Sequence, residues 1–320
     1  MFGQDSAGAA ELWGHVSGDE NFAIVRAGHG VAMSRIRSRA VLCCAVALGA
    51  VVLAVPAAAI PAPSAAAATV ARATKPICSS AKRPRFAARL SSGLEKAISG
   101  RNSSIGLAVS DPRLGLTCRL HPWWHFDAAS TVKVTILSAL LLKKGGPGHL
   151  TKAERALAKK MITESDNDAA TALWNEVGMH DMQRFLNKAA MNHTVLNEAW
   201  GLTQENAHDE LTLLALLSKP GTVLNTASRQ YVLGLMAHVI ASQRWGVPVG
   251  APAGLTVSVK NGWLPYPTSR NWHVNSLGVF RGTNVNYQIA ILTSGNSSFQ
   301  YGIDTIQGAA RVINQDLAKA

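Results

Sequence analysis

The strongest restriction on the fold is a change of hydrophobic period along the chain. Residues 105–109 and 116–120 are short apolar runs separated by Asp111-Pro112-Arg113-Leu114-Gly115, which predicts a β-hairpin. From 126 to 240 the apolar residues recur at helical spacing, over 126–144, 152–161, 169–177, 182–190, 209–217 and 228–240. The first of these gathers Val132, Ile136, Leu137, Leu140 and Leu141 and stops at Gly145-Gly146-Pro147. Beyond Pro248 strand patterns return over 255–259, 273–280 and 287–293, and a last helix is predicted over 301–317. Strands at both ends of a helical middle bury their faces best by sharing one sheet. The expected fold is α+β: a mostly antiparallel sheet from both chain ends, flanked by helices, plus a helical lobe.

Composition permits a packed core, since 48% of the residues are hydrophobic and only 16% charged, the opposite of a disordered chain. The net charge of +12 needs locating before it is interpreted. Residues 1–68 carry four basic and four acidic side chains, so the surplus lies wholly in 69–320. There it is scattered, apart from Lys82, Arg83, Arg85 and Arg89, with no zinc-knuckle spacing or aromatic-basic segment beside it. This suits attraction to polyanions or to an anionic wall or membrane surface; nucleic acid is not an expected partner. The ten histidines lack metal-ligand spacing, and neither a metal nor another cofactor is expected.

The N-terminal region reads as an address. Met33 is followed by the basic run Ser34-Arg35-Ile36-Arg37-Ser38-Arg39, an apolar stretch over 40–55 and small residues over 56–68. That is a secretory signal over 33–68, with cleavage near Ala59 or Ala68; an uncleaved membrane anchor is the competing reading. Residues 1–32 have no periodicity and read as unstructured or as a mis-assigned start. A linker is expected over 69–86 and the working domain over 87–320. The product is expected to be secreted and monomeric. Loss of the signal removes Cys43 and Cys44, and leaves Cys78 and Cys118 either to pair or to remain as two thiols.

Three short motifs carry candidate chemistry. Ser130-Thr131-Val132-Lys133 starts the predicted 126–144 helix, where one turn places Ser130 and Lys133 on one face and the amine can take the hydroxyl proton. Free backbone N–H groups at the helix start can serve a developing oxyanion. Ser165-Asp166-Asn167 lies between two predicted helices; it reads either as a helix cap or as a cleft loop with a hydroxyl and an amide pointing together. Lys260-Asn261-Gly262 ends the predicted 255–259 strand, where a lysine can hold an anion. Each pattern alone is weak, as the decoys Ser79-Ser80-Ala81-Lys82, Ser294-Gly295-Asn296 and Lys144-Gly145-Gly146 show.

Together, in this order and in these elements, the motifs resemble those of the class A β-lactamase family of penicillin-recognising serine hydrolases, over about residues 87–318. The resemblance implies that Ser130 is acylated by the β-lactam amide, with Lys133 as base and Ser165 relaying a proton to the leaving nitrogen. Asn167 would meet the acyl side-chain amide, and Lys260 would draw the substrate carboxylate. Asn261 and Gly262 complete the third motif, and the backbone N–H groups of Ser130 and Trp263 would form the oxyanion hole. Two converging lysines should depress the pKa of Lys133. Trp263 is also the expected cleft wall among Trp123, Trp124, Trp245, Trp263 and Trp272. Arg270 reads as a surface-loop residue or as a second carboxylate ligand.

Three departures stand out. The path from Ser130 to Ser165 is short, Asn261 replaces a usual hydroxyl residue, and the family's deacylating glutamate has no counterpart. One matching puts His193 at its place and another Trp200. Glu198 and Glu205 lie on the same loop as solvated charges or substitutes, and Asp209 is expected to cap the next helix. The expected activity is therefore β-lactam capture with slow deacylation. Alternatives are a D-Ala-D-Ala peptidase or penicillin-binding protein, and a catalytically weak wall-binding module.

Overall fold

A computed structural model describes residues 75–266 and 271–320. The signal-like segment, residues 1–32 and Arg270 lie outside the described residues. The expected α+β architecture is present. A six-stranded antiparallel sheet runs in the order β1-β3-β2-β8-β7-β6, built from β1 (Cys78–Ser80), β2 (Ser104–Asp111), β3 (Leu116–Leu120), β6 (Thr256–Tyr266), β7 (Asn271–Gly282) and β8 (Val285–Asn296). The two chain ends meet at β2 and β8, where Leu107 faces Ile291 and Val109 faces Ile289.

Strand alternation sorts the two faces. Val259, Val274, Ile289 and Ile291 pack against α1 (Pro84–Ile98) and α7 (Phe299–Leu317) through Leu90, Leu94, Ile306 and Ile313. Each of these buried aliphatic side chains contributes roughly 1.5–3 kcal/mol. Leu277, Val279, Ala290 and Leu292 point the other way, into the helical lobe of α2 (Val132–Lys144), α3 (Lys152–Thr163), α4 (Asn167–Ala189), α5 (Ala207–Ser218) and α6 (Thr226–Ala237). The predicted helices 169–177 and 182–190 are the two arms of α4, broken at Gly178, whose φ of 75° is left-handed.

Several boundaries move. The expected linker 69–86 holds β1 and the start of α1, because Cys78 pairs with Cys118 on β3 in register and through a disulfide. The helix predicted over 126–144 begins only at Val132. Phe126–Asp127 instead form β4, paired with β5 (Gln204–Glu205), and a single turn, Ala129–Thr131, joins β4 to α2. Lys260-Asn261-Gly262 does not end a strand; it sits in the middle of β6.

Candidate active site

Ser130 lies in the Ala129–Thr131 turn, which is gripped from three sides. Asn275 of β7 donates from Nδ2 to the carbonyls of Asp127 (2.8 Å) and Ala128 (3.2 Å). Thr131 Oγ1 lies 2.6 Å from the Ala128 carbonyl oxygen and 2.7 Å from Glu205 Oε2. From the sheet, Gly262 comes so close that a Cβ there would stand 2.7 Å from the Ser130 nitrogen and 2.8 Å from both the Ala128 oxygen and the Thr131 nitrogen. Only a residue without a side chain lets β6 lie against this turn. Ala129 takes a left-handed φ of 49°, a conformation that a non-glycine residue keeps only when its surroundings impose it.

The lysines of the first and third motifs converge on the second. Lys133 is buried in the first turn of α2 and donates from Nζ to the Ser165 carbonyl (2.5 Å), Ser165 Oγ (3.2 Å) and Asn167 Oδ1 (2.7 Å). Lys260, equally buried, donates to the same Ser165 Oγ at 2.9 Å and to its neighbour's carbonyl at 2.8 Å. Ser165 is therefore the bridge between two lysine side chains, and its own φ of 62° is left-handed. The capping role belongs to Asp166, which accepts from the Ala169 N–H at 2.7 Å and leaves Ser165 and Asn167 for the lysines.

One member of the third motif and the residue after it face away. In β6, Lys260 and Gly262 point toward the helical lobe, so Asn261 and Trp263 point to the opposite side. Asn261 Nδ2 donates to the carbonyls of Gln243 (2.9 Å) and Trp245 (3.0 Å), and its Oδ1 accepts from Ser276 (2.6 Å). Its side chain ties a loop to the sheet instead of meeting substrate. The Trp263 ring packs with Trp245 and Phe299 at 5.8 and 5.2 Å, so it is not a cleft wall.

The loop over 191–206 decides where the acids are. The Trp200 ring lies 4.9 Å from Lys133 Nζ and is anchored by an Nε1–H bond to Thr171 Oγ1. His193, the other position matched to the family's glutamate, packs on Trp123. Glu198 is exposed, but Glu205 and Asp209 are wholly buried, so Glu205 is not the solvated charge expected. Asn206, not Asp209, caps α5. Asp209 instead accepts from the His193 N–H and the Thr194 hydroxyl. Burial pushes the Glu205 carboxyl up to about 8 and raises Glu210 well above the usual range. Asn275 and Glu210 are not among the residues singled out in the sequence, and Glu205 is singled out only as a solvated charge or a substitute acid. A polar residue inside the apolar 273–280 run was the one available sign of Asn275.

The model of the beta-lactamase enzyme family matches residues 145–317, more than half of the chain. The chain belongs to the beta-lactamase enzyme family. The match starts beyond Ser130 and Lys133 and takes in Ser165 and Lys260. A class A β-lactamase from Bacteroides cellulosilyticus superposes with a TM-score of 0.63 at 16% identity, covering 72% of this chain and 98% of that one. A β-lactamase from Desulfarculus baarsii gives 0.61 at 20% identity, covering 73% and 98%. A PBP-A mutant solved as an acyl-enzyme with penicillin G gives 0.61 at 20% identity, covering 72% and 97%. Among curated proteins none matches the chain.

Proposed function

We propose that this β-lactamase-family protein is a secreted serine hydrolase whose Ser130 is acylated rapidly by β-lactams and released slowly. The observation that carries this reading is Ser165 Oγ held between Lys133 and Lys260 beside the Ser130 turn. A hydroxyl has one proton and two acceptor sites. Ser165 can accept from a charged Lys260 and donate to a neutral Lys133, which leaves the Lys133 amine as base. Attack forms a bond from Ser130 Oγ to the lactam carbonyl carbon and breaks the C–N bond. The serine proton passes through Lys133 and Ser165 to the leaving nitrogen. The Ser130 and Trp263 N–H groups would receive the oxyanion.

Slow release follows from the loop. Hydrolysis of the ester needs a water held by a base, and the loop side chain over Lys133 is the indole of Trp200. The same feature favours a second reading, a D-Ala-D-Ala peptidase that β-lactams trap. Export is supported by the Cys78–Cys118 disulfide, a bond typical of oxidising compartments. With nitrocefin the account expects a burst of about one equivalent followed by turnover far below the 10 per second or so common among enzymes. Steady turnover at that ordinary rate would contradict slow deacylation.

A further inference from the structure

Behind the nucleophile turn lie carboxyl groups that the proposed chemistry does not use. Glu205 ends β5 and Glu210 lies in the first turn of α5, and both are wholly buried. Thr131 Oγ1 sits between Glu205 Oε2 and the Ala128 carbonyl oxygen, at 2.7 and 2.6 Å. Its single proton cannot serve both as acceptors. The Glu205 and Glu210 carboxyls also act directly on each other, a contact that becomes a hydrogen bond only if one of them carries a proton. As carboxylates, Glu205 Oε1 and both Glu210 oxygens would find no donor among the described residues.

One direction of donation satisfies every contact. Glu210 donates to Glu205, Glu205 donates through Oε2 to Thr131, and Thr131 donates to the Ala128 carbonyl. The other ionisable group acting on the pair is Asp209 on α5, with His193 and His208 beyond it. Burial and the Asp209 charge both disfavour ionisation of Glu205.

We propose that Glu205 in its acid form, backed by Glu210, is a positioning residue for Ser130: through Thr131 it holds the Ala128 carbonyl and with it the left-handed turn that presents the nucleophile. Loss of the Glu205 proton turns the Thr131 hydroxyl toward the carboxylate. Among the described residues the Ala128 oxygen then keeps the Thr131 N–H at 3.1 Å and Asn275 Nδ2 at 3.2 Å, both longer than the bond it loses. This inference rests on acylation of Ser130.

The test is the acylation rate with benzylpenicillin, read by quenched-flow mass spectrometry from pH 6 to 9.5, for the wild type, Glu205→Gln and Glu205→Ala. Deprotonation of Lys133 alone makes the rate rise with pH. The proposal adds an alkaline fall of about fivefold to tenfold, the worth of one hydrogen bond, centred near pH 8. Glutamine donates to Thr131 at every pH, so Glu205→Gln removes the alkaline limb and recovers most of the rate that Glu205→Ala loses at pH 6.5. The wild-type profile needs no variant to fold. A wild type without the limb, a limb that survives in Glu205→Gln, or equal loss in both variants overturns the proposal. A wild type that forms no adduct at any pH overturns the acylation reading itself and this inference with it.

Discussion

Replacing Gly262 with alanine is expected to slow acylation of Ser130 by about a hundredfold in a protein that still folds. The new Cβ would stand 2.7 Å from the Ser130 nitrogen and 2.8 Å from the Ala128 oxygen and the Thr131 nitrogen. Comfortable contact lies near 3.5 Å, so the turn or the strand must move by roughly 0.7 Å. All three atoms belong to backbone, and both partners are held: β6 by its ladder to β7, the turn by Asn275 and Thr131. Overpacking of this kind costs about 1–3 kcal/mol, or roughly 2–12 °C in melting temperature for a domain of this size. A nucleophile misplaced by most of an ångström loses about a hundredfold in rate. Gly278→Ala is the control, since its Cβ would meet the side-chain atoms Val247 Cγ2 at 2.7 Å and Phe280 Cε2 at 3.0 Å on the other face of the sheet. It should destabilise comparably and leave the acylation rate of the folded protein unchanged. Wild-type acylation by Gly262→Ala, or an equal loss in Gly278→Ala, would refute the role given to the Gly262 contact.

Two further outcomes concern stability. Cys78→Ser with Cys118→Ser opens a link spanning 40 residues and should cost about 4 kcal/mol, visible as a lower urea midpoint; an unchanged midpoint would remove the disulfide from the account. The buried carboxyls set the sign of the pH dependence: unfolded glutamates ionise near 4.5 while folded Glu205 holds its proton to about 8. Folded protein binds more protons in that window, so stability falls as pH rises through it, by up to about 1.4 kcal/mol per pH unit per group. Urea midpoints should be higher at pH 6 than at pH 8, and Glu205→Gln should flatten the slope; a midpoint that rises with pH would contradict buried, protonated acids.

Much of this molecule was legible because its signals are periodic. The hairpin at β2 and β3, the helices of the lobe and the three late strands follow from periods of 2 and 3.6 that burial imposes. Ser130, Lys133, Ser165 and Lys260 stand out because three short motifs, each weak alone, occur in the order and elements of the family they resemble. The third motif was misread at one point. The motif was expected to end a strand over 255–259, yet β6 runs on through it and through Pro265 to Tyr266, since an edge strand tolerates a residue with no N–H. Only that continuation shows that Asn261 and Trp263 share the far face. The β4 and β5 pair is two residues long and has no period to read. Glu205 meets Thr131 across 74 residues of chain, a distance over which local pattern carries nothing.

The central claim is that Ser130 forms a lasting covalent bond with a β-lactam. Intact mass spectrometry of residues 69–320 after benzylpenicillin, with Ser130→Ala alongside, measures this directly. The expected result is one adduct of the whole antibiotic per chain, mapped to the peptide containing Ser130, persisting after free drug is removed and missing from Ser130→Ala. An unmodified wild type, or an adduct that Ser130→Ala forms equally well, would contradict it.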